Sequence, residues 1–547
     1  MAQGRRNLHD SSMQALHDLK DEDLQGLAPE AVAALAQQML QRLRQQDSEI
    51  RFKDAKIEKI TFQLARLKAW KFGAKTEAMS AEQRRLFEET LAEDEASLQA
   101  QLEQAKGEPA TPPAATGGDN QRKPRRRPLP DHLRREDHHH EPDNTNCPSP
   151  GCGKPMTRVG EDISERLDIV PAEFFVHRHI YGKWACRCCE CLVQEAVAPQ
   201  IIDGGMPAAG LIAHTMVSHF VDHLPYYRME SINARSNVHT PRSTLASWSG
   251  QGGAALIPLY DAHKRFVLSA QVLHADETPV AMLDPGRGKT KRAYVWTYAR
   301  GAFDAVPGVI YDFCAGRGAQ YPVAFLGPDG DARGAPAWRG TLVRDEYAAY
   351  DKVMLAQPGR IPAGCLAHAR RKFDELLREG GKSAVADEAL RRIAQIYRLE
   401  RELAALTTEE RLARRQTDAR PLWEKLFAWL RLERSRVPDG SSTAKALNYS
   451  LNAWTALTRN LLDGDVNVDN NHCENQIRPW ALGRRAWLFA GSELAGQRAA
   501  VVMSLVQSAK LHGHDPWAYL RDVLTRLPTH LNSRIDELLP HLWQPAG

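Results

Sequence analysis

Two aspartates and a glutamate, far apart in a chain of 547 residues, carry its strongest chemical signal. Asp276 ends the apolar run LSAQVLHAD, Asp345 ends GTLVRD, and Glu474 lies within DVNVDNNHCENQIRPW. Two aspartates at strand ends and a helix-borne glutamate are what a pair of hard divalent cations requires. Magnesium takes carboxylate oxygens, and ligands on strand ends are held more rigidly than ligands on loops. Two such ions roughly 3.5–4 Å apart stabilise both the attacking and the leaving oxygen of a phosphoryl displacement. His274, Glu277, Asp284, Asp351 and His368 compete as ligands. Glu277 points away from Asp276 if the strand continues, and Asp351 lies past its strand end.

The elements that must position these acids can be read around them. Asn470 and Arg478 stand four residues to either side of Glu474, which places the three on one helical face. An apolar stripe of Ile477 and Leu482 follows, then Arg484, Arg485 and the Trp487-Leu488-Phe489 run before a turn at Gly491. Residues 268–283 read as a buried strand delivering Asp276 at its end, with further strands at 293–300 and 306–314. GAQYPVAFLG fits a short helix and GTLVRD a fourth strand. CLAHARRKFDELLRE (365–379) begins as a strand or turn and continues as a basic helix, and 381–460 is helical throughout. The order Asp, Asp, Glu, with the long helical stretch before the glutamate, suits an α/β ribonuclease-H-like core carrying a helical insertion.

The rest of the chain frames this core. Net charge is only +4, so basic character is local, chiefly in RKPRRRP at 122–128. No apolar run nears the roughly 20 residues that span a bilayer, and MAQGRRNLHDSSMQ lacks the apolar core of a secretory signal. A cytoplasmic protein without membrane association is expected, its nine cysteines metal ligands or buried thiols rather than disulfides. Leu43, Ile50, Ile57 and Leu64 repeat every seven residues, joined later by Ile60 and Leu67, while Gln46 and Lys53 interrupt the second seam. That pattern predicts a partly apolar coiled coil and self-association as at least a dimer. GEPATPPAATGGDN marks a linker, and His138–His140 read as surface residues. Cys147 and Cys152 form one knuckle, and CRCCEC offers Cys186/Cys189 or Cys188/Cys191 as the second. Two separated pairs predict a structural zinc site, in a β-rich module whose intervening residues alternate like short strands. Residues 205–255 read as helices. Within SNVHTPRSTLASW, Thr240 is the expected N-cap and Pro241 the first helical residue. This segment resembles the second half of a helix-turn-helix, with Arg242 and Ser243 facing DNA; a plain helical pair is the alternative.

HADETPV, DEYAAYDK, CLAHARRKF and VDNNHCENQIRPWALGRRAWLFAGSELAGQRAA closely resemble motifs of the transposases of the insertion sequence 66 family of bacterial mobile elements. The resemblance extends to FGAKTEAM, the cysteine cluster and LPYYRMESINAR, and so covers most of the chain in order. It implies a DDE transposase that binds element ends, cuts DNA and transfers strands. Asp276, Asp345 and Glu474 would hold two magnesium (or manganese) ions, and Arg478, Arg484 and Arg485 would position the phosphate backbone. It favours Cys186 and Cys189 as the second zinc pair, with Cys147 and Cys152 as the first. It also implies small accessory proteins of the same element and a homo-oligomer as partners beside DNA. The expected organisation is a helical region at 1–106, a basic linker at 107–145, a zinc module at 146–200 and a helical DNA-binding region at 201–264. The catalytic core follows at 265–515, with its insertion at about 381–460, and then a helical tail at 516–547. The rival readings are a nuclease with the same core but no strand transfer, and a zinc-containing DNA-binding regulator.

Overall fold

The computed structural model describes residues 50, 53–64, 92–102, 129, 131–147, 152–170, 173–284, 289–327, 337–380 and 383–545. Contacts divide the chain into two compact units, Met1–Arg66 with Gln101–Thr116 and Leu67–Ala100 with Gly117–Gly547. In the smaller unit residues 53–64 form a helix. Ile60 and Leu64, four residues apart on one face, are buried, whereas Ile50 is 57% exposed. The remaining seam positions Leu43, Gln46 and Leu67, the FGAKTEAM motif and the basic run at 122–128 fall outside the described residues.

The larger unit begins with a four-stranded sheet of β1 (Arg134–His140), β2 (Thr157–Val170), β3 (Glu173–Ala185) and β4 (Leu192–Gln194). β2 and β3 are a long antiparallel hairpin of 14 and 13 residues rather than the short strands expected. The ladder runs from Thr157–Ala185 to Val170–Glu173, with one register shift between Arg158 and Gly160. β1 corrects the reading of 107–145 as linker throughout. It runs parallel to β3 as an edge strand, and its RREDHHH sequence has no apolar alternation to betray it. Charged residues on an unpaired edge discourage further pairing, which accounts for that composition.

Four helices follow: α1 (Ala209–Phe220), α2 (Tyr226–Arg235), α3 (Arg242–Ala255) and α4 (Ile257–Val267). The predicted helix pair is therefore present as α2 and α3, but its cap differs by one residue. Pro241, extended at φ −56° and ψ 142°, is the N-cap, Arg242 opens the helix, and Thr240 is buried before it.

Beyond α4 lies a five-stranded mixed sheet, ordered β7-β6-β5-β8-β9. β5 (Val272–Asp284), β6 (Lys289–Arg300) and β7 (Val309–Cys314) are antiparallel neighbours, whereas β8 (Thr341–Val343) and β9 (Ile361–Ala363) extend β5 in parallel. The fold is thus mixed α/β. β9 lies just before the segment expected to begin as a strand or turn at 365, where the helix starts at Leu366 instead. α5 (Gln320–Leu326) and α6 (Ala349–Ala356) cover one side, with Trp296, Tyr298 and Tyr350 fully buried.

Helices α7 (Leu366–Gly380), α8 (Ala384–Leu403), α9 (Thr408–Arg414), α10 (Arg420–Arg436), α11 (Ser442–Asn452) and α12 (Trp454–Leu457) then build a second apolar core around Phe373, Ile393, Trp423, Leu426 and Leu447. Arg415, wholly buried in a π-helical turn, pairs with Glu400 at 2.6 Å and donates to the carbonyls of Asn460, Asp463 and Gly464. Such a charge is tolerated in a core because its partner and its hydrogen bonds arrive together.

The chain returns to the sheet through α13 (Asn471–Trp487) and α14 (Glu493–Leu511), and α15 (Pro516–Arg526) packs against α1 and α14. β7 is an edge strand, and its outward N–H groups are capped by α14. Ser508 Oγ accepts from Val309 N at 3.1 Å, and Ser504 Oγ from Tyr311 N at 2.9 Å. Serines four apart on one helical face match alternate residues of the strand. Among the described residues no helix is long and apolar enough to cross a membrane.

Candidate metal and catalytic centres

The sheet register decides where the two aspartates stand. His274 of β5 pairs with Val343 of β8 in the last rung of their parallel ladder. Asp276 and Asp345 each lie two residues further along, at equivalent positions on adjacent strands. Asp276 is not at the end of its strand, as expected, but mid-way along β5, because the hairpin with β6 continues to Asp284. It is β8 that stops, at Val343, so the parallel ladder ends before it reaches Asp276. Asp345 is fixed by its own turn, its Oδ1 accepting from Tyr347 N at 3.0 Å. Buried Arg344 bonds the Asp345 carbonyl at 2.8 Å.

Glu474 arrives from the first turn of α13, where a carboxylate is favoured by the exposed N–H groups of the helix start. The seam of α13 is Cys473, Ile477 and Trp480, all buried at helical spacing, while Leu482, predicted to lie in that stripe, is 58% exposed. Asn470 fastens the start of the helix to β5. Its Nδ2 donates to Ala275 O at 2.9 Å, and its Oδ1 lies 3.0 Å from His274 Nδ1. Asn470 is therefore a buried tether and not a companion of Glu474 on an open face. At the far end of α13, Ala490 exchanges backbone hydrogen bonds with Ala281 and Leu283, so the helix is pinned to β5 at both ends.

The competing ligands are mostly engaged elsewhere. Glu277 faces the other side of β5, bound by Arg317 Nε at 2.7 Å and by the Tyr350 hydroxyl at 2.8 Å. Asp351 accepts from Arg344 at 2.8 Å. His274 is enclosed between Asn467 and Asn470, and burial lowers its pKa to about 3. Asp284 closes the strand, away from Asp276.

His368, in the first turn of α7, stands with its Nδ1 3.9 Å from Glu474 Oε1, and Arg371 lies 3.8 Å from Oε2. Cys365 completes a cluster with these two within 4.8 Å. The Asp276, Asp345 and Glu474 oxygens do not converge that tightly. They still act on one another: burial raises Asp276 to about 8, with Glu277, Asp345 and Glu474 adding to the rise. Glu474 Oε1 and His368 Nδ1 are both buried without a hydrogen-bond partner. Recessed carboxylates facing one another, with an orphaned buried oxygen, fit a divalent cation in their donor chemistry. The outer ligands of a two-ion site also lie further apart than ligands of one ion.

Of the arginines expected at DNA, Arg478 and Arg485 are exposed on α13. Arg484 turns inward to Thr278 Oγ1 at 3.2 Å and Pro279 O at 3.1 Å, fastening α13 to β5. Ser243 is exposed and Arg242 half-buried at the start of α3.

In the turns beside the first sheet Cys147, Cys152, Cys186 and Cys189 bring their sulfurs within 4.8 Å of one another, the grouping expected with Cys186 and Cys189 as the second pair. Cys188, left out, is exposed. Cys147 and Cys189 Sγ are 2.8 Å apart and Cys152 and Cys186 3.8 Å, without disulfides. Backbone N–H groups of Cys188 and Cys189 pull the Cys186 thiol down to about 6. Four converging thiols with one predisposed to ionise fit a closed tetrahedral zinc site.

Comparison with known proteins agrees with this division. Residues 204–498 match the family described as Transposase IS66 family, and 504–541 match the IS66 C-terminal element. Residues 144–190 match the zinc-finger binding domain of transposase IS66, and 59–137 match the family described as Transposase C of IS166 homeodomain. Among relatives in Sinorhizobium fredii, uncharacterized protein y4jD is 37% identical over 432 residues, covering 76% of this chain and 81% of that protein. Uncharacterized protein y4hP is 33% identical, covering 78% of each. Uncharacterized protein y4qI is 35% identical, covering 77% of this chain and 79% of its own.

Proposed function

The chain belongs to the IS66 transposase family, and on that premise we propose that it cuts DNA at the ends of its element and joins them to a target, using Asp276, Asp345 and Glu474 as ligands for magnesium or manganese. The observation that carries this reading is the placement of Asp276 and Asp345 at equivalent positions on neighbouring parallel strands, with Glu474 on a helix pinned to the same strand at both ends. A ribonuclease-H-like core is supported by the sheet order, three antiparallel strands followed by two parallel ones, with the acids at the first and fourth strands.

Divalent cations bound there would lower the pKa of the attacking hydroxyl and offset charge on the displaced oxygen. Attack by water on a phosphodiester leaves a 3′-hydroxyl at the element end. In the joining step that hydroxyl attacks a target phosphodiester, one P–O bond forming as another breaks. The protein's own residues supply placement. Asn470 and Arg484 hold α13 against β5, His368 and Arg371 hold the Glu474 carboxylate, and exposed Arg478 and Arg485 contact the DNA backbone. α2 and α3 form the helix-turn-helix-like element, with Arg242 and Ser243 at its reading end. Zinc on Cys147, Cys152, Cys186 and Cys189 is structural. Bringing two ends together requires at least a dimer, working with the element's accessory proteins.

The test is magnesium-dependent cleavage and joining of DNA carrying the element's ends, with Asp276→Asn, Asp345→Asn and Glu474→Gln in parallel. Loss of both reactions in every variant, with DNA binding retained, is expected. Activity surviving in one variant removes that residue from the set. Cleavage without joining supports a nuclease. A parent that binds the ends but stays silent, even with the accessory proteins, supports a regulator.

A further inference from the structure

The parallel register of β1 on β3 places Glu136 opposite His177 and His138 opposite His179. Because Glu136 and His138 are two residues apart on a strand, they share a face, and their partners share it with them. His138 and His139 are exposed, as read from the sequence, and His140 is half-buried; His138 and His140 belong to a histidine ladder, and His139 points the other way. His138 Nε2 lies 2.9 Å from His177 Nδ1, and one rung on His140 Nε2 lies 3.0 Å from His179 Nδ1.

From this arrangement we infer a second metal site in the zinc-binding sheet, separate from the four cysteines, in which Glu136, His138 and His177 bind a borderline divalent ion of the zinc class. The three ligand atoms already lie within 4.8 Å of one another. His177 is also oriented as a metal-bound histidine usually is. Its Nε2 is 2.7 Å from Oδ2 of Asp168, a buried carboxylate whose other oxygen accepts from Ile169 N at 2.8 Å. A proton fixed on Nε2 by that carboxylate leaves the Nδ1 lone pair facing His138 and Glu136. Glu136 is divided in the same sense. Oε1 pairs with Arg134 at 2.9 Å, and Oε2 faces His177 Nδ1 at 3.8 Å. Imidazoles with one carboxylate select zinc and its neighbours in the first transition row over magnesium. Three protein ligands leave a fourth position for water or an incoming donor. The ion would bridge β1 to β3 and so clip the edge strand, through which the chain enters the sheet, onto the hairpin.

The experiment uses the full chain without a histidine tag, stripped of metal and reloaded with cobalt in excess magnesium under reducing conditions. Cobalt on the four thiolates gives a sulfur-to-metal charge-transfer band, and cobalt on imidazole and carboxylate does not. The parent is expected to hold one more cobalt per chain than the band accounts for. The paired substitution His138→Gln with His177→Gln should lose that ion and keep the band, whereas His139→Gln should keep both. Equal cobalt content in parent and paired variant, with the band intact, overturns the proposal. X-ray absorption of the zinc-loaded parent decides the matter if the paired variant does not fold. A sulfur shell alone is against the site, and sulfur together with imidazole nitrogen is for it.

Discussion

The cysteine cluster and the three carboxylates both fit metal ions in donor chemistry, but they are assembled in opposite ways. Four thiols from two knuckles at the end of one hairpin converge within 4.8 Å. The three acids come from β5, the end of β8 and a helix that returns only after the whole insertion, and they remain apart. In the first case the ligands sit in local turns around a small cluster of Met156, Trp184 and Val193. In the second, apolar residues beside each acid, Ala275 and Leu342 on the strands and Cys473 and Trp480 on α13, hold the ligands in place with or without an ion. The cysteine module should therefore depend on its metal for folding, and the core should depend on metal only for chemistry.

Removing one thiol sharpens this contrast most. Structural zinc contributes on the order of 10 kcal/mol to folding in small zinc modules. Cys186→Ser should abolish zinc binding at the cluster and open the turns at 152–156 and 186–191 to limited proteolysis, while the core, which includes Leu167, Ile169, Phe174 and Val176 of the hairpin, keeps its melting transition. Chelating magnesium should leave both transitions in place. A core that melts with magnesium removal would erase the distinction.

Acid offers a second separation, since the core carries its own sensitivity to it. His263 is wholly buried, with Nε2 2.9 Å from Val309 O, and burial lowers its pKa to about 4. The unfolded chain takes up that proton first, so stability falls as pH drops from about 6.5 towards 4, by about 3 kcal/mol in all. Melting of the core across that range, with magnesium absent throughout, should show this loss. His263→Gln should remove that share of the loss and leave the share due to buried His274, whose pKa is lowered further.

Smaller effects probe the tether. Asn470→Ala breaks the bonds to Ala275 and His274 and should cost about 1–3 kcal/mol. Activity should fall further than stability, because Glu474 loses its register. Smallest of all, His368→Ala should lower the cleavage rate severalfold with little change in melting, since His368 touches Glu474 only at 3.9 Å. Equal losses from His368→Ala and Glu474→Gln would make His368 a ligand itself.

This difference in assembly also explains what the sequence disclosed. Cysteine spacing was legible because the ligands lie in local turns, although choosing among the CRCCEC thiols took the fold. The acids were legible as strand-end and helix residues, and the sheet strands around them followed from apolar runs. Asp276 reads as a strand end although β5 continues to Asp284, because it is the three-residue β8 that ends beside it, and so short a strand leaves almost no periodic signal. β1 escaped notice for want of apolar alternation. Its one signal was the matched spacing of His138/His140 and His177/His179. Glu93 and Asp94, which bind buried Arg498 from some four hundred residues away, could not be paired by any local pattern.

The central claim, that the aspartates are metal ligands, is tested most directly by changing the ligand atom. Asp276→Cys and Asp345→Cys replace a hard oxygen with a soft sulfur, which magnesium binds poorly and manganese or cadmium accept better. Each variant should be inactive in magnesium, by on the order of 10³-fold or more, and recover cleavage of element-end DNA in manganese or cadmium, while Asp→Asn variants recover in neither. Cysteine variants that stay silent in every metal while still binding DNA, or that remain active in magnesium, would contradict it.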